Sequence, residues 1–298
     1  MVSSCLSTVL MSVAVFTGDL AKLPSVDWGK TDEVRPGVKL VKFELDAPRL
    51  MKAYCLRCDL KGRKFGYKTT VKSANYGKVF LDTDGKSKCV EHTQRNTTRN
   101  FINDNPDVVV AVNVSPWRGG VDMGNLGEMP AEINGVTVLK GETVSDYTLW
   151  TNVNFVIRKD GVPDIRCGGA KALSKAQRAD LDYAFMGYGW CLKKGKILGK
   201  ADKCHPRTVY GLSADRRYLY LLTVDGRQPG WSEGADNFDL ARLMLALGAD
   251  DAINMDGGGS CALFYRDPKS GRPVQLNRHD AFGFYARPVA LNLGLIEK

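Results

Sequence analysis

The residues that could do chemistry are most concentrated at positions 253–260, where the sequence reads INMDGGGS. An apolar, strand-like run leads into the carboxylate of Asp256, three consecutive glycines and the hydroxyl of Ser260. Because glycine has no Cβ, three in a row indicate a tight turn or a backbone that approaches a ligand closely. Backbone N–H groups beside a carboxylate suit an anionic or sugar ligand. A glycine-rich hairpin without a ligand is the alternative.

Two further segments place polar residues next to predicted strands, residues 205–208 (HPRT) and residues 225–234 (DGRQPGWSEG). Arg207 and Arg227 carry planar guanidinium groups that could hold a phosphate with paired hydrogen-bond donors. Asp225, like the carboxylate of the glycine turn, follows an apolar strand. Burial would raise the pKa of such an acid, whereas a neighbouring arginine would lower it. The alternative for each residue is a structural ion pair between loops.

Several familiar kinds of site do not fit this sequence. The chain has three histidines, His92, His205 and His279, which are too few and too scattered to predict a histidine-based metal site. No Gly-x-Ser-x-Gly segment indicates a serine nucleophile, and no Lys-Ser or Lys-Thr follows the glycines as in a phosphate-binding P-loop. We therefore predict neither a metal nor a cofactor.

Composition indicates a soluble globular protein with anionic partners. The 298 residues are 44% hydrophobic and 25% charged, and 42 basic against 33 acidic residues give a net charge of +9. The basic residues are scattered apart from a denser run over residues 57–78, and no nucleic-acid-binding motif is present. No apolar run reaches the ~18–20 residues of a membrane span. Neither nucleic acid nor a membrane is an expected partner, and the oligomeric state is left open.

Export and disulfide formation are linked expectations. Residues 6–16 form an apolar segment of the length of a signal-peptide core, although no basic residue precedes it, and we predict a secreted or periplasmic protein. Eight cysteines fit an oxidising compartment. Cys191 and Cys204 flank a predicted hairpin, and a disulfide between them would contribute about 3 kcal/mol. Cys55 and Cys58 have zinc-like spacing but no second pair.

Strands dominate the predicted elements, and helices are few. Residues 107–113 form a continuous apolar run, typical of a buried strand, that delivers Asn113 at its end. Helices are predicted at residues 174–185, which open with a Ser-x-x-Gln capping box, and at residues 236–247, which end before Gly248.

These patterns predict the class and the domain organisation. We predict an α+β fold, a single mixed domain over residues 37–298 in which strand-rich, twisted sheets are flanked by a few helices. We assign residues 1–36 to a leader and connector.

Five segments together resemble a known family. They are residues 205–208 (HPRT), 211–213 (GLS), 221–227 (LLTVDGR), 239–241 (DLA) and 254–260 (NMDGGGS). In this order they resemble the motifs of the phosphodiester glycosidase family, most strongly over residues 185–295. An ordered set of five motifs is far more specific than any one of them. Residues 111–117 (AVNVSPW) keep the family's Asn at position 113 but lack the two glycines that usually follow it, which leaves the sugar open.

The resemblance implies hydrolysis of a sugar-1-phosphodiester, of the N-acetylglucosamine-1-phosphodiester type, at the anomeric carbon. Free sugar and a phosphate monoester would be released. The catalytic candidates are Asp225 and Asp256, with Glu233 as a reserve acid or base. The substrate-binding candidates are Asn113, His205, Arg207, Thr208, Arg227, Asn254, Gly257, Gly258 and Ser260. Arg207 and Arg227 would hold the phosphate, and Asn113, Ser260 and the amides of residues 257–259 would contact the sugar.

Two other functions stay open. The first is a glycosidase that acts on an acidic glycan without phosphate, in which case the arginines would bind carboxylated or sulfated sugars. The second is a non-catalytic glycan-binding protein of an envelope or exopolysaccharide system. The presence of both Asp225 and Asp256 favours an enzyme, since a binding protein needs no such pair.

Overall fold

The computed structural model describes residues 14–119, 129–146, 152–169, 172–280 and 286–298. Within these residues the α-helices are α1 (Thr98–Asp104), α2 (Lys175–Arg178) and α3 (Asn237–Leu247). Short 3₁₀ turns lie at Leu20–Lys22, Trp28–Lys30, Lys61–Arg63 and Gly258–Ser260. None of the described helices is long and apolar enough to cross a membrane.

Strands make up most of the described chain. The first twelve are β1 (Ala14–Asp19), β2 (Glu33–Arg35), β3 (Val38–Ala47), β4 (Met51–Asp59), β5 (Phe65–Thr69), β6 (Val79–Leu81), β7 (Lys88–Val90), β8 (Thr93–Arg95), β9 (Val108–Asn113), β10 (Trp117–Arg118), β11 (Met129–Ile133) and β12 (Thr137–Leu139). The second twelve are β13 (Glu142–Ser145), β14 (Val153–Arg158), β15 (Pro163–Cys167), β16 (Leu181–Met186), β17 (Gly189–Lys193), β18 (Lys196–Ile197), β19 (Arg207–Leu212), β20 (Tyr218–Val224), β21 (Asp251–Asn254), β22 (Leu263–Arg266), β23 (Pro273–Gln275) and β24 (Asn292–Glu297). This strand-rich, mixed architecture agrees with the predicted class.

The main sheet has nine strands in the order β1-β3-β4-β20-β19-β21-β17-β18, with β2 also paired to β3. The β1–β3 pair is parallel and the other pairs are antiparallel. Residues 14–36, which the sequence suggested as part of a leader and connector, contribute β1 and β2 to this sheet. Phe16 packs against Phe43 with ring centroids 5.5 Å apart. Most of the apolar segment at residues 6–16 lies outside the described residues.

Two five-stranded sheets pack on one face of the main sheet. Their strand orders are β23-β22-β9-β24-β5 and β13-β12-β16-β14-β15. A common core joins all three sheets and includes Val112, Phe155 and Tyr210. The rings of Phe155 and Tyr210 meet edge to face, with centroids 5.1 Å apart. Strand β9 is buried along its whole length, as the apolar run predicted.

Helix α3 packs on the opposite face of the main sheet. The side chain of Asp236 caps its first turn and forms a capping box with Asp239, and Gly248 ends it with φ 89°. Leu243 and other apolar residues of α3 join a second core with β19 and β20. The structure confirms the helix predicted at residues 236–247.

The helix predicted at residues 174–185 is wrong beyond its first turn. The Ser174–Gln177 capping box is present, but α2 ends at Arg178 and the chain then forms β16. Strand β16 lies between β12 and β14 and is buried on both faces. Its run of apolar residues therefore reflects a central strand rather than a helical stripe, and periodicity alone does not separate the two.

The predicted Cys191–Cys204 disulfide is also wrong. Each of the seven cysteines in the described part of the chain is a free thiol. Cys191 points into the core beneath α3, where burial raises the pKa of its thiol to about 12. Cys204 instead lies beside Asp236 and Asp239 at the start of α3. The two side chains face different surroundings although the hairpin forms between them.

The packing of α3 can be tested with two leucines of the same helix. Leu243 is fully buried, whereas Leu245 is 36% exposed. We expect Leu243→Ala to lower the free energy of unfolding by about 3 kcal/mol, because it removes buried methyl groups and leaves a cavity. Leu245→Ala should change it by less than about 0.5 kcal/mol. Urea denaturation followed by circular dichroism measures both, and equal effects would contradict the burial of this face.

Candidate active site

A cavity of about 330 Å³ opens at one edge of the main sheet. The neighbouring strands β20, β19, β21 and β17 are antiparallel. The ends of β20 and β21 therefore lie beside the starts of β19 and β17. The residues lining the cavity are Tyr188, His205, Pro206, Arg207, Arg227, Asp256, Gly257, Gly258 and Arg287. All three polar segments singled out from the sequence contribute to this lining.

Among the described residues that line this cavity, one carries a carboxyl group, Asp256. Its half-buried carboxyl group accepts a hydrogen bond from the backbone N–H of Gly257, at 3.0 Å, and hydrogen bonds with the side chains of Ser260 and Tyr188. Burial raises the pKa of Asp256 to about 6, against the opposing effects of these hydrogen bonds and of the charge of Arg287. Such a carboxyl group can exchange a proton near neutral pH.

Close backbone packing explains the three glycines. A Cβ on Gly257 would lie 2.6 Å from the carbonyl oxygen of Pro206, and one on Gly259 would lie 2.8 Å from the guanidinium carbon of Arg287. Gly258 adopts φ 63°, which favours glycine, and its N–H donates to the Pro206 carbonyl at 2.9 Å. The amides of Gly257 and Gly258 thus already have partners within the protein, so the glycines shape the cavity wall.

The guanidinium of Arg207 is largely occupied by protein partners. Its Nε donates to the carbonyl of Ala235 at 3.1 Å, and its Nη2 donates to the Lys203 carbonyl at 2.8 Å and pairs with Asp202 at 3.1 Å. Arg207 therefore adds positive charge to the cavity while it ties the segment before β19 to the loop before α3.

Arg227 and Arg287 are the more exposed cations of the cavity. Arg227 donates from Nη1 to Asp280 at 3.1 Å and from Nε to Nδ1 of His205 at 3.4 Å. It adopts φ 58°, a left-handed conformation that costs a non-glycine residue about 1 kcal/mol. Burial and the charges of Arg227 and Arg207 lower the pKa of His205. A neutral His205 can accept the hydrogen bond from Arg227.

Asn113 and Thr208 lie behind the glycine turn rather than in the cavity. Asn113 is fully buried, and its Nδ2 donates to the carbonyl of Asp256 at 2.8 Å. Its Oδ1 accepts from Oγ1 of Thr208 at 2.8 Å and from the N–H of Ala262 at 3.1 Å. The Asn113 amide therefore fixes the main chain that carries the catalytic candidate.

Asn254 is also buried outside the cavity lining. Its Nδ2 donates to Oδ1 of Asn237 at 2.9 Å, which links β21 to the first turn of α3. This contact joins the strand that carries the turn to the helix beneath it.

Asp225 and Glu233 do not line the cavity. Asp225 is buried and accepts hydrogen bonds from Nε1 of Trp231 and from the N–H of Arg278, both at 2.8 Å. Burial raises the pKa of Asp225 to about 6, although both of these hydrogen bonds lower it. Glu233 is exposed, and its backbone N–H donates to the Leu50 carbonyl at 2.9 Å. Of these three acids, Asp256 is the one that lines the cavity.

Sequence reasoning missed Tyr188 and Arg287. Tyr188 lies between two glycines immediately before β17, and its N–H donates to the carbonyl of Asn254 at 2.7 Å. Arg287 begins the segment Arg-Pro-Val-Ala, outside the five segments that carry the resemblance. Both lie far from Asp256 in the sequence and line the same cavity only because of the fold.

One group of potential metal ligands lies elsewhere among the described residues. The ligand atoms of Cys204, Asp236 and Asp239 are within 4.8 Å of one another. Asp236 and Asp239 form the cap of α3, and Arg49 forms a salt bridge with Asp239. Because a guanidinium already balances this cluster, its arrangement fits an internal ion pair better than a metal site.

Comparison with solved structures shows the fold. The catalytic domain of zebrafish N-acetylglucosamine-1-phosphodiester alpha-N-acetylglucosaminidase, auto-inhibited by its pro-peptide, matches with a TM-score of 0.60 and 17% identity over 93% of this chain and 87% of that one. A hypothetical protein from Synechocystis matches with a TM-score of 0.55 and 12% identity, over 90% and 64% of the two chains. A Burkholderia pseudomallei protein that is predicted to be exported matches with a TM-score of 0.53 and 12% identity, over 84% of this chain and 75% of that one.

Sequence comparison identifies the family. A search of curated protein sequences finds no match. The family model for phosphodiester glycosidase matches residues 106–296, which is well over half of the chain and includes all five motifs and every residue of the cavity lining. The chain belongs to the phosphodiester glycosidase family.

Proposed function

We propose that this protein hydrolyses a sugar-1-phosphodiester at the anomeric carbon and releases the free sugar and a phosphate monoester. The observation that carries the proposal is one cavity in which Asp256 faces Arg207, Arg227 and Arg287. Three guanidinium groups suit an anionic substrate, and a single carboxyl group with a pKa of about 6 suits proton transfer. Membership of the family supports a glycosidase.

Arg227 and Arg287 are the residues that we propose hold the phosphate. Both are more exposed than Arg207, whose Nε and Nη2 already donate to protein acceptors. Their donors can pair with phosphate oxygens and stabilise the charge that develops as the phosphate leaves. Because a phosphate monoester is a stable anion, its departure demands less of a general acid than that of a sugar alcohol. Arg207 contributes charge and holds its segment in place.

Asp256 is the residue that we propose activates water. Its ionised carboxylate takes a proton from the water whose oxygen attacks the anomeric carbon, and the bond between that carbon and the phosphate oxygen breaks. The electron pair of the broken bond leaves with the phosphate. The hydrogen bonds of Tyr188 and Ser260 orient the carboxylate, so the protein needs little reorganisation during the step.

The remaining candidates receive structural roles in this proposal. Asp225 holds the loop that follows β20 through Trp231, and so places Arg227. Asn113 and Thr208 hold the glycine turn from behind. We propose that the sugar contacts Tyr188 and the wall formed by the glycines. A secreted or periplasmic location stays a prediction, supported by the fold shared with a protein predicted to be exported.

The role of Asp256 can be tested by substitution. We expect Asp256→Asn to lower kcat at least about 10³-fold, because the amide cannot take a proton from water. Glu233→Gln removes an exposed carboxylate outside the cavity and should change kcat less than about twofold. Steady-state assays with a sugar-1-phosphodiester that the wild type hydrolyses measure kcat of both variants, and thermal unfolding checks that both fold. Retention of activity in Asp256→Asn would refute the assignment.

The substrate class can be tested with a panel of α- and β-linked sugar-1-phosphodiesters. We expect reducing sugar and phosphate monoester to appear in equal amounts, because one bond is hydrolysed per turnover. Activity on aryl glycosides alone would instead favour a glycosidase that acts on glycans without phosphate. Absence of turnover on both, together with glycan binding measured by calorimetry, would favour a binding protein.

The acid limb of the pH profile should report Asp256. Since its ionised form acts as the base, we expect kcat/KM to fall as the pH drops below about 6. The Tyr188 hydrogen bond lowers the pKa of Asp256, so Tyr188→Phe should raise that pKa and move the acid limb up by roughly 0.5–1 pH unit. Tyr265→Phe, outside the cavity lining, is the matched control. An unchanged acid limb in Tyr188→Phe would contradict the contact.

A further inference from the structure

A second and larger cavity shares no lining residue with the cavity that holds Asp256. It encloses about 820 Å³, more than twice the volume of the catalytic cavity. Its walls come from the end of β5 and the segment after it, from β8, α1 and their flanking residues, and from the single residues Lys140 and Pro288. Cavities that bind drug-sized ligands span ~300–1,000 Å³, so this one has room for a ligand of more than one sugar ring.

Basic and uncharged polar side chains predominate among the described residues that line this second cavity. Four residues are basic, Lys68, Lys72, Arg95 and Lys140, and none of the described lining residues is acidic. Five carboxamide and four hydroxyl side chains supply most of the rest. Amides and hydroxyls pair with the hydroxyl groups of sugars, and the basic residues favour negative charge on the ligand.

The three lysine side chains of the lining are exposed enough to meet a ligand. Lys68 pairs with Asp107 at 2.9 Å and Lys72 pairs with Glu142, but these lysine side chains are 39% and 37% exposed. Exposed ion pairs of this kind contribute little, about 0–1 kcal/mol, so a ligand anion can compete for them. Lys140 is exposed at a turn with φ 49°.

The amide of Gln94 is held in this wall, where its Nε2 donates to the Glu91 carboxylate. Arg95 is buried in the same wall, with its guanidinium carbon 4.9 Å from the centre of the Trp117 ring.

We propose that this second cavity binds an acidic oligosaccharide. Single-stranded nucleic acid would need exposed aromatic surfaces for base stacking. Among the described residues of the lining one is aromatic, Phe101, and it is buried. A free inorganic anion would fill little of the volume. An oligosaccharide that bears carboxylate, sulfate or phosphate groups can contact the basic, amide and hydroxyl groups together.

The position of the second cavity relates it to the catalytic one. Arg287 lines the catalytic cavity and Pro288, the next residue, lines the second. One segment of the main chain therefore borders both cavities. The oligosaccharide is then the chain whose sugar-1-phosphate end enters the catalytic cavity, a step that rests on the proposed function. Binding itself does not depend on turnover.

Calorimetric titration with trigalacturonic acid and with its uncharged methyl ester tests the proposal. We expect the acid to bind, the ester to bind at least about tenfold more weakly, and the affinity for the acid to fall as salt increases. The double substitution Lys72→Gln with Lys140→Asn should weaken binding of the acid about tenfold or more. Asn tolerates the positive φ at position 140.

Matched controls separate this site from general charge and from catalysis. Lys269→Gln removes a positive charge from the exposed turn between β22 and β23 and should leave the affinity unchanged. Asp256→Asn should still bind trigalacturonic acid, so a failure of the proposed catalysis would leave this result intact. Equal binding of acid and ester, no binding of the acid, or wild-type affinity in the double variant would each overturn the proposal.

Discussion

The hydrogen bonds of the Asn113 side chain are the constraint on which the site depends. Asn113 ends β9 in a five-stranded sheet, yet it holds the carbonyl of Asp256 and the hydroxyl of Thr208, which belong to the main-sheet side. The N–H of Asp256 donates in turn to the carbonyl of Val114 at 2.9 Å. Two sheets are thereby fixed to each other at the residue that carries the carboxylate. A buried amide with all of these partners is costly to disturb.

Antiparallel pairing then explains why short, distant motifs form one site. Strands β20, β19, β21 and β17 are adjacent, so alternate strand ends meet at one edge although their sequences are far apart. The glycines allow the turn after β21 to approach Pro206 closely enough for a backbone hydrogen bond. The loop carrying Arg227 is held separately, through the buried carboxyl of Asp225. Positioning and the proposed chemistry thus fall to different residues of the same motifs.

Local patterns predicted the parts of this structure that local forces determine. The α3 cap and stop, the buried strand β9 and the glycine turn each follow from a few neighbouring residues. Strand β16 was mistaken for a helix because its burial on both faces depends on two other strands. The hydrogen bond from Tyr188 and the charge of Arg287 act on Asp256 from distant parts of the chain, so spacing carried no signal for them. The expected disulfide between Cys191 and Cys204 is absent because the spacing of two residues around a hairpin does not determine where their side chains point.

Two acids of this protein have the same raised pKa for the same reason, and only geometry separates their roles. Burial raises the pKa of both Asp225 and Asp256 to about 6. Asp225 directs its carboxyl oxygens at an indole and a backbone N–H inside the protein. Asp256 instead lines a cavity with three arginines. A perturbed pKa therefore marks both a structural and a catalytic candidate. Access to a substrate, rather than the ease of proton transfer, is what distinguishes Asp256.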